Sequence, residues 1–177
     1  HLLSAIPYGS NGLFFLPYLV GERCPYRDSN ATGVFFGLTD QTTDLDMIRA
    51  TLEGVAFGVR QALEITMDPT KIKEMVVTGG GSQSKVWSQM IADVCGCKVT
   101  VPTGSSVGPC FGAALCALVG MKIKRGFSDI EPLWTQGRQF YPHEKNREIY
   151  KNLFQFYAKL YPTLKPLFKK KKIGDSR

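Results

Sequence analysis

Histidine is scarce: His1 and His143 are the only two in 177 residues, and they lie far apart. Zinc and similar ions are usually held by His and Cys at short spacings, so two distant histidines give a metal site little support. The cysteines do not repair this. Cys24, Cys95, Cys97, Cys110 and Cys116 are odd in number, and Cys95-Gly96-Cys97 is Cys-x-Cys rather than the Cys-x-x-Cys of redox and zinc motifs. They read as reduced, partly buried thiols of a cytosolic protein. Long apolar runs are also missing: none approaches the roughly 20 residues needed to cross a bilayer. The start, His1-Leu2-Leu3-Ser4, lacks the basic segment and apolar core of a signal peptide. It also lacks an initiating Met, which points to a fragment of a longer protein.

Acidic residues are the minority, 15 against 22 Lys and Arg, for a net charge of +7. Lys165, Lys169, Lys170, Lys171, Lys172 and Arg177 crowd the C-terminal end and supply much of the excess. Such a tail can bind nucleic acid or anionic lipid, but it reads here as a solvated terminus, residues 169–177. No aromatic residues alternate with the lysines to stack on bases. Neither nucleic acid nor membrane is expected as a partner. What remains is ordinary globular composition, 44% hydrophobic and 21% charged, in a length that suits one domain, residues 1–168.

Along the chain, Leu13 to Leu16 is a short apolar run, either a buried strand or a loop anchor. Gly21 to Asp28 is a charged loop, and Gly33 to Leu38 reads as a strand. Asp44 looks like a helix cap. Beyond it Ile48, Leu52, Val55, Val59 and Ala62 mark one helical face, from which Glu53 and Arg60 fall away. Asp68-Pro69 ends that helix. Ile72 to Val77 is expected to be a buried strand. Val86, Met90, Ile91 and Val94 then give an amphipathic helix that stops near Gly96. Lys98 to Val101 is the next strand. Gly112 to Gly120 is apolar nearly all round, which suits a helix buried on most sides. Trp134 and Tyr141 are expected packing anchors. A last helix starts at Glu144, with Ile149, Leu153, Phe156 and Leu160 on one face and Pro162 and Pro166 as breakers. That stripe could face this domain or another subunit, so a homodimer is left open. Strand alternating with helix is an α/β plan with a ligand crevice at the strand carboxyl ends.

One stretch stands out, Val76-Val77-Thr78-Gly79-Gly80-Gly81-Ser82-Gln83-Ser84-Lys85-Val86-Trp87. An apolar run ends in three glycines and a helix starts at once. Glycine admits positive φ and lets a ligand approach the backbone closely. A helix N-terminus presents unpaired N–H groups and partial positive charge, which suits phosphate. The spacing is neither the phosphate loop ending in Gly-Lys-Ser/Thr nor Gly-x-Gly-x-x-Gly, and a plain glycine turn with no ligand would read the same locally.

Three blocks then share an order. They are Gly21-Glu22-Arg23-x-Pro25 with Asp28 and Ala31-Thr32-Gly33; Gly33-x-Phe35-x-Gly37-Leu38 followed by Asp46-Met47-x-x-Ala50-Thr51-Leu52-Glu53-Gly54; and Thr78-Gly79-Gly80-Gly81 through Trp87, with Gly108-Pro109-x-x-Gly112-Ala113-Ala114 beyond. Together they resemble the C-terminal domain of the FGGY carbohydrate kinases, most closely the xylulokinase-like branch, from about Gly12 to Gly120. The resemblance implies a ribonuclease-H-like fold of the actin/hexokinase/Hsp70 type, with a mixed sheet flanked by helices. It implies a cytoplasmic enzyme that uses ATP and Mg²⁺ to phosphorylate a small sugar or polyol, such as the pentulose xylulose. A preceding domain of the same type would bind most of the sugar. Carried over, Gly80 packs against the nucleotide phosphates and Ser84 lies by the adenine, while Gly79, Gly81, Ser82 and Gln83 line the same wall. The family's catalytic aspartate precedes the Gly-Glu-Arg block by many tens of residues and has no counterpart here. No catalytic residue is assigned, and this fragment alone is expected to be inactive. Many relatives also carry an acidic residue before the Gly-Ala-Ala helix, and Thr103 to Val107 has none.

Other residues keep two readings. Glu22, Arg23 and Asp28 act near the cleft or pair to hold their loop, the second being favoured. Asp46 and Glu53 are read as a solvated or interdomain face rather than an acid/base pair. Asp93 is read as a surface or capping partner. Trp87 stacks on a base or packs at a rim. Lys85 neutralises phosphate or points away. Two further functions stay open: a nucleotide-binding regulatory module without catalysis, and a basic interaction domain using the tail.

Overall fold

The computed structural model describes residues 6–68, 71–104, 106, 108–130 and 136–168. Pro69, Trp134 and the basic tail lie outside the described residues. The chain divides into two compact units, one made of the residues up to Lys71 and from Glu144 onward, the other of Ile72–His143.

The first unit is built on a short antiparallel ribbon. Strand β1, Phe14–Leu16, pairs with β2, Val34–Phe36, in a register that sets Phe15 opposite Phe35. Helix α1, Asp44–Thr66, crosses β1 so closely that a Cβ at Gly54 would run into the Phe15 carbonyl. Its start is set by Thr43, one residue before the expected cap. The Thr43 hydroxyl accepts from Asp46 N, and Asp46 accepts from Thr43 N, a capping box that satisfies donors at the helix end.

The buried side of α1 is not the aliphatic stripe read from the sequence. Ile48 is 49% exposed, whereas Arg49, Ala50, Glu53, Gly54, Ala56, Phe57 and Gln61 are buried. Aliphatic periodicity misled because the buried charges are neutralised in place. The last helix, α4, spans Glu144–Phe168 and buries Tyr150, Phe154, Tyr157, Leu160, Tyr161 and Phe168. Of the expected stripe only Leu160 is buried. Tyrosines spaced at helical intervals form the true face, each with a polar partner for its hydroxyl: Tyr150 to Glu53, Tyr157 to the Gly54 carbonyl, Tyr161 to Asp28. The face thus packs within its own unit. Pro162 and Pro166 do not break the helix. Its last turns are anchored by Tyr161, by Phe168 stacked 6.1 Å from Tyr161, and by the Thr163 hydroxyl on the Lys159 carbonyl, and packing overrides the cost of proline.

The Gly21–Asp28 loop is closed by main chain, with Glu22 and Asp28 exchanging both N–H···O bonds. The Asp28 carboxylate adds Asn30 N and Tyr161 OH, while Arg23 is exposed. The loop is held as expected, but by a backbone bridge and a tyrosine rather than an arginine fork.

The second unit holds a three-stranded mixed sheet. Strand β3, Glu74–Val76, lies parallel to β4, Lys98–Pro102, and β4 lies antiparallel to β5, Gly137–Phe140. Helix α2, Lys85–Cys95, forms the crossover and stops at Gly96, whose φ of 67° is the left-handed cap that glycine favours. β4 is the buried centre, with Val99, Thr100 and Val101 at most 1% exposed. β3, expected to be buried, is not: Glu74 and Val76 are exposed. Glu74 instead pairs with Lys98 and accepts from Thr100, so the strand keeps a polar flank. Helix α3, Gly108–Gly120, also departs from expectation, since only Gly108 and Leu115 are buried. An apolar composition says what a helix can bury; within this unit little of α3 is covered.

Candidate functional site

The parallel β3–β4 pair sends its carboxyl ends to one side of the second unit, and the triple glycine follows β3 there. Gly79 has φ 90° and ψ 179°, a region essentially confined to glycine. Gly80–Gln83 then makes one 3₁₀ turn, and Ser84 caps α2 by accepting from Trp87 N at 3.3 Å. The turn is locked internally. Ser82 is 1% exposed, and its hydroxyl donates to the Gly79 carbonyl at 2.7 Å. The Ser82 carbonyl in turn accepts from the Ser88 hydroxyl at 3.2 Å.

The three glycines answer three different demands. Gly79 is required by its backbone angles. Gly81 is required by packing, because a Cβ there would run into the Trp87 ring. Gly80 is required by neither: its φ is not positive, and a Cβ would meet no described atom within 4 Å. The middle glycine therefore faces open space at the N-terminal end of α2. The start of α3 adjoins the same turn, where a Cβ on Gly108 would lie 3.5 Å from Gly79 Cα and N. The N-terminal ends of two helices thus flank one glycine turn, and the partial positive charge of a helix N-terminus favours an anionic group.

The residues expected to form the site fall into distinct places. Gly79, Gly80, Gly81, Gln83 and Ser84 form the outward part of the turn, while Ser82 is turned inward and holds it. Trp87 is half-buried over Gly81, a rim position. Lys85 is exposed. Asp93 is not at the surface: it is 2% exposed on α2 and accepts from His143 N at 2.8 Å and from Gln89 at 3.0 Å. Asp46 and Glu53, read as a solvated or interdomain face, are buried in the first unit and fully engaged there. Glu53 accepts from Gly9 N, Ser10 Oγ, Arg49 Nε and Tyr150 OH. Asp46 accepts from Asn11 and Thr43. The Tyr150 hydroxyl is pushed up by burial and by the Glu53 charge. Hydrogen bonds from the Thr43 side chain and backbone N–H hold the Asp46 carboxyl below its ordinary range.

One residue of the site was not legible in the sequence. Arg138, on β5, donates from its guanidinium to the Ser82 carbonyl at 3.1 Å and the Gln83 carbonyl at 3.4 Å. A cavity of about 270 Å³ opens beside it, lined by Gln83, Val101 to Gly104, Ser106 and Arg138. Its walls are mostly polar atoms. Among the described residues no group of three or more His, Cys, Asp or Glu side chains could hold a metal ion.

The sequence profile of the FGGY family of carbohydrate kinases, C-terminal domain, matches residues 2–121, more than half of the chain. The chain belongs to this family. Xylulose kinase of Staphylococcus xylosus is 37% identical over 155 residues, 86% of this chain and 32% of that protein. Among solved structures, the fold matches ligand-bound xylulose kinase from Lactobacillus acidophilus with a TM-score of 0.85 at 29% identity, covering 96% of this chain and 34% of that one. Gluconate kinase from Lactobacillus acidophilus matches almost equally, with a TM-score of 0.84 at 29% identity over 96% of this chain and 34% of that one. The chain spans about a third of the length of these relatives. This FGGY domain therefore has the ribonuclease-H-like, actin/hexokinase-type α/β fold, and its mixed sheet and crossover helix are that fold's local expression. No described helix is long and apolar enough to cross a membrane.

Proposed function

We propose that this FGGY domain is the nucleotide-binding half of a sugar kinase that transfers the γ-phosphoryl group of ATP to a hydroxyl of a small sugar or polyol. The observation that carries the reading is Gly80: an exposed glycine with open space at its Cβ position, set in a locked turn at a helix N-terminus. Among the described residues no packing contact explains that glycine, whereas close approach of a phosphate does. ATP supplies the phosphoryl group. Gly79, Gly80 and Gly81 give the phosphates a wall without side chains, and Gln83 and Ser84 extend it toward the base. Ser82 keeps the wall in shape. Mg²⁺ would enter with the nucleotide, since such ions are commonly held by phosphates, water and one or two carboxylates rather than by an all-protein cage. In-line phosphoryl transfer rests on positioning and on a base for the attacking hydroxyl. This chain offers positioning, and a preceding domain would supply the base and most of the sugar contacts, closing a cleft in the cytoplasmic enzyme.

We take a pentulose such as xylulose as the leading substrate and gluconate as the competitor, a reading supported by the resemblance to xylulose kinases. Assaying the full-length protein for ADP release with D-xylulose, gluconate, L-ribulose and glycerol tests this. Selective turnover of xylulose is expected. ATP binding without turnover of any sugar would favour a regulatory, non-catalytic module instead.

A further inference from the structure

We propose that Arg138 is a positioning residue for the nucleotide turn, a clamp reaching from the edge strand β5 to the carbonyls that end the 3₁₀ turn. The inference rests on reading that turn as an ATP wall. Its basis is the pattern of hydrogen bonds. The turn is closed on one side by Ser82 Oγ on the Gly79 carbonyl and by Ser88 Oγ on the Ser82 carbonyl. Both contacts come from within residues 79–88. The Arg138 fork comes from more than fifty residues downstream and ties the turn to the sheet, through Nη2 to Ser82 O and Nη1 to Gln83 O. The strand that carries it is brought in tightly: Arg138 pairs with Val101, and at the neighbouring Gly137 a Cβ would run into the Val101 carbonyl.

The chemistry of the contact is telling. Among the described residues Arg138 forms no ion pair, and its partners are two neutral main-chain oxygens. A planar guanidinium offers donors in a fixed fork, so two adjacent carbonyls are held at a set spacing. A lysine ammonium carries the same charge without the fork. The clamp therefore predicts that geometry, not charge alone, matters at this position.

The test compares full-length wild type, Arg138→Ala and Arg138→Lys in a coupled ADP assay with xylulose, alongside thermal melts. Arg138→Ala is expected to raise KM for ATP about tenfold, the scale of one charge-assisted hydrogen bond. KM for the sugar stays unchanged and kcat falls far less than KM rises. Arg138→Lys is expected to restore only part of the loss. An unchanged KM for ATP with a lowered melting temperature would overturn the proposal, because Arg138 would then be merely structural. Full restoration by lysine would also overturn it, because charge would suffice. A wild-type protein without ATP-dependent activity would remove the functional reading and this inference with it, a result distinct from an active wild type matched by an indifferent Arg138→Ala.

Discussion

Two polar clusters, one in each unit of the chain, are treated in opposite ways. In the first, charge is taken out of water and every group is matched: Glu53 is 2% exposed with four donors around it, and Arg49 is 4% exposed between Glu53 and Tyr150. In the second, a glycine turn is locked from beneath and left bare above, next to a polar cavity. The first arrangement makes one conformation costly to leave, because a buried charge without its partner is strongly penalised. The second leaves a surface that a ligand can complete. The two clusters thus differ in whether the protein itself supplies the partner.

Removing a partner in the first unit gives the largest effect. Glu53→Ala strands the Arg49 charge and should cost about 3–5 kcal/mol, read by urea denaturation. A loss below about 1 kcal/mol would mean that this network is not the unit's keystone. In the second unit, Gly81→Ala drives a methyl into Trp87 and should cost about 1–3 kcal/mol as overpacking. If it melts like wild type, the glycine is not set by packing and the distinction among the three glycines fails. The smallest effect is on the acid side. Asp28 is held below the ordinary carboxylate range by the Tyr161 hydroxyl and then by Asn30 N, and Asp46 is held low by Thr43. Both protonate less readily folded than unfolded. Their contribution is therefore present above the unfolded pKa, about 4, and is lost as pH falls through the lower folded value. Melting temperature should be flat through neutral pH and fall below about pH 4, with a shallower fall in Asp46→Asn. Identical acid limbs in the two proteins would refute the assignment.

Much of this architecture could be read from residues alone, but unevenly. Most local signals of where an element starts or stops were reliable. Gly96 stopped α2, Thr43 and Asp46 started α1 within one residue of the expected place, and the run from Val76 to Trp87 gave strand, turn and helix in order. Facing was read poorly where burial was polar. Ile48 looked like core and is exposed, while Glu53 fell away from the aliphatic stripe and is buried, as is Arg49. A helical period ranks faces by aliphatic content, and it cannot see that a carboxylate will meet Arg49, Tyr150 and a backbone N–H from the distant Gly9. The same limit hid Arg138. Its partners are main-chain carbonyls, which leave no mark in sequence, and only the antiparallel register of β5 on β4 brings it to the turn. Pro162 and Pro166 illustrate the reverse error: a strong local rule yielded to the packing of Tyr161 and Phe168.

If Gly80 is kept bare for a nucleotide, full-length Gly80→Val should separate ATP affinity from melting temperature when both are measured against wild type. Because a side chain at Gly80 meets nothing in the described structure within 4 Å of its Cβ, folding should be nearly unaffected. Blocking the approach of the phosphates should weaken ATP binding by about a hundredfold or more, with the melting temperature kept within about 2 °C. Unchanged ATP affinity, or a loss of affinity matched by an equal loss of stability, would contradict the account and return the turn to a purely structural role.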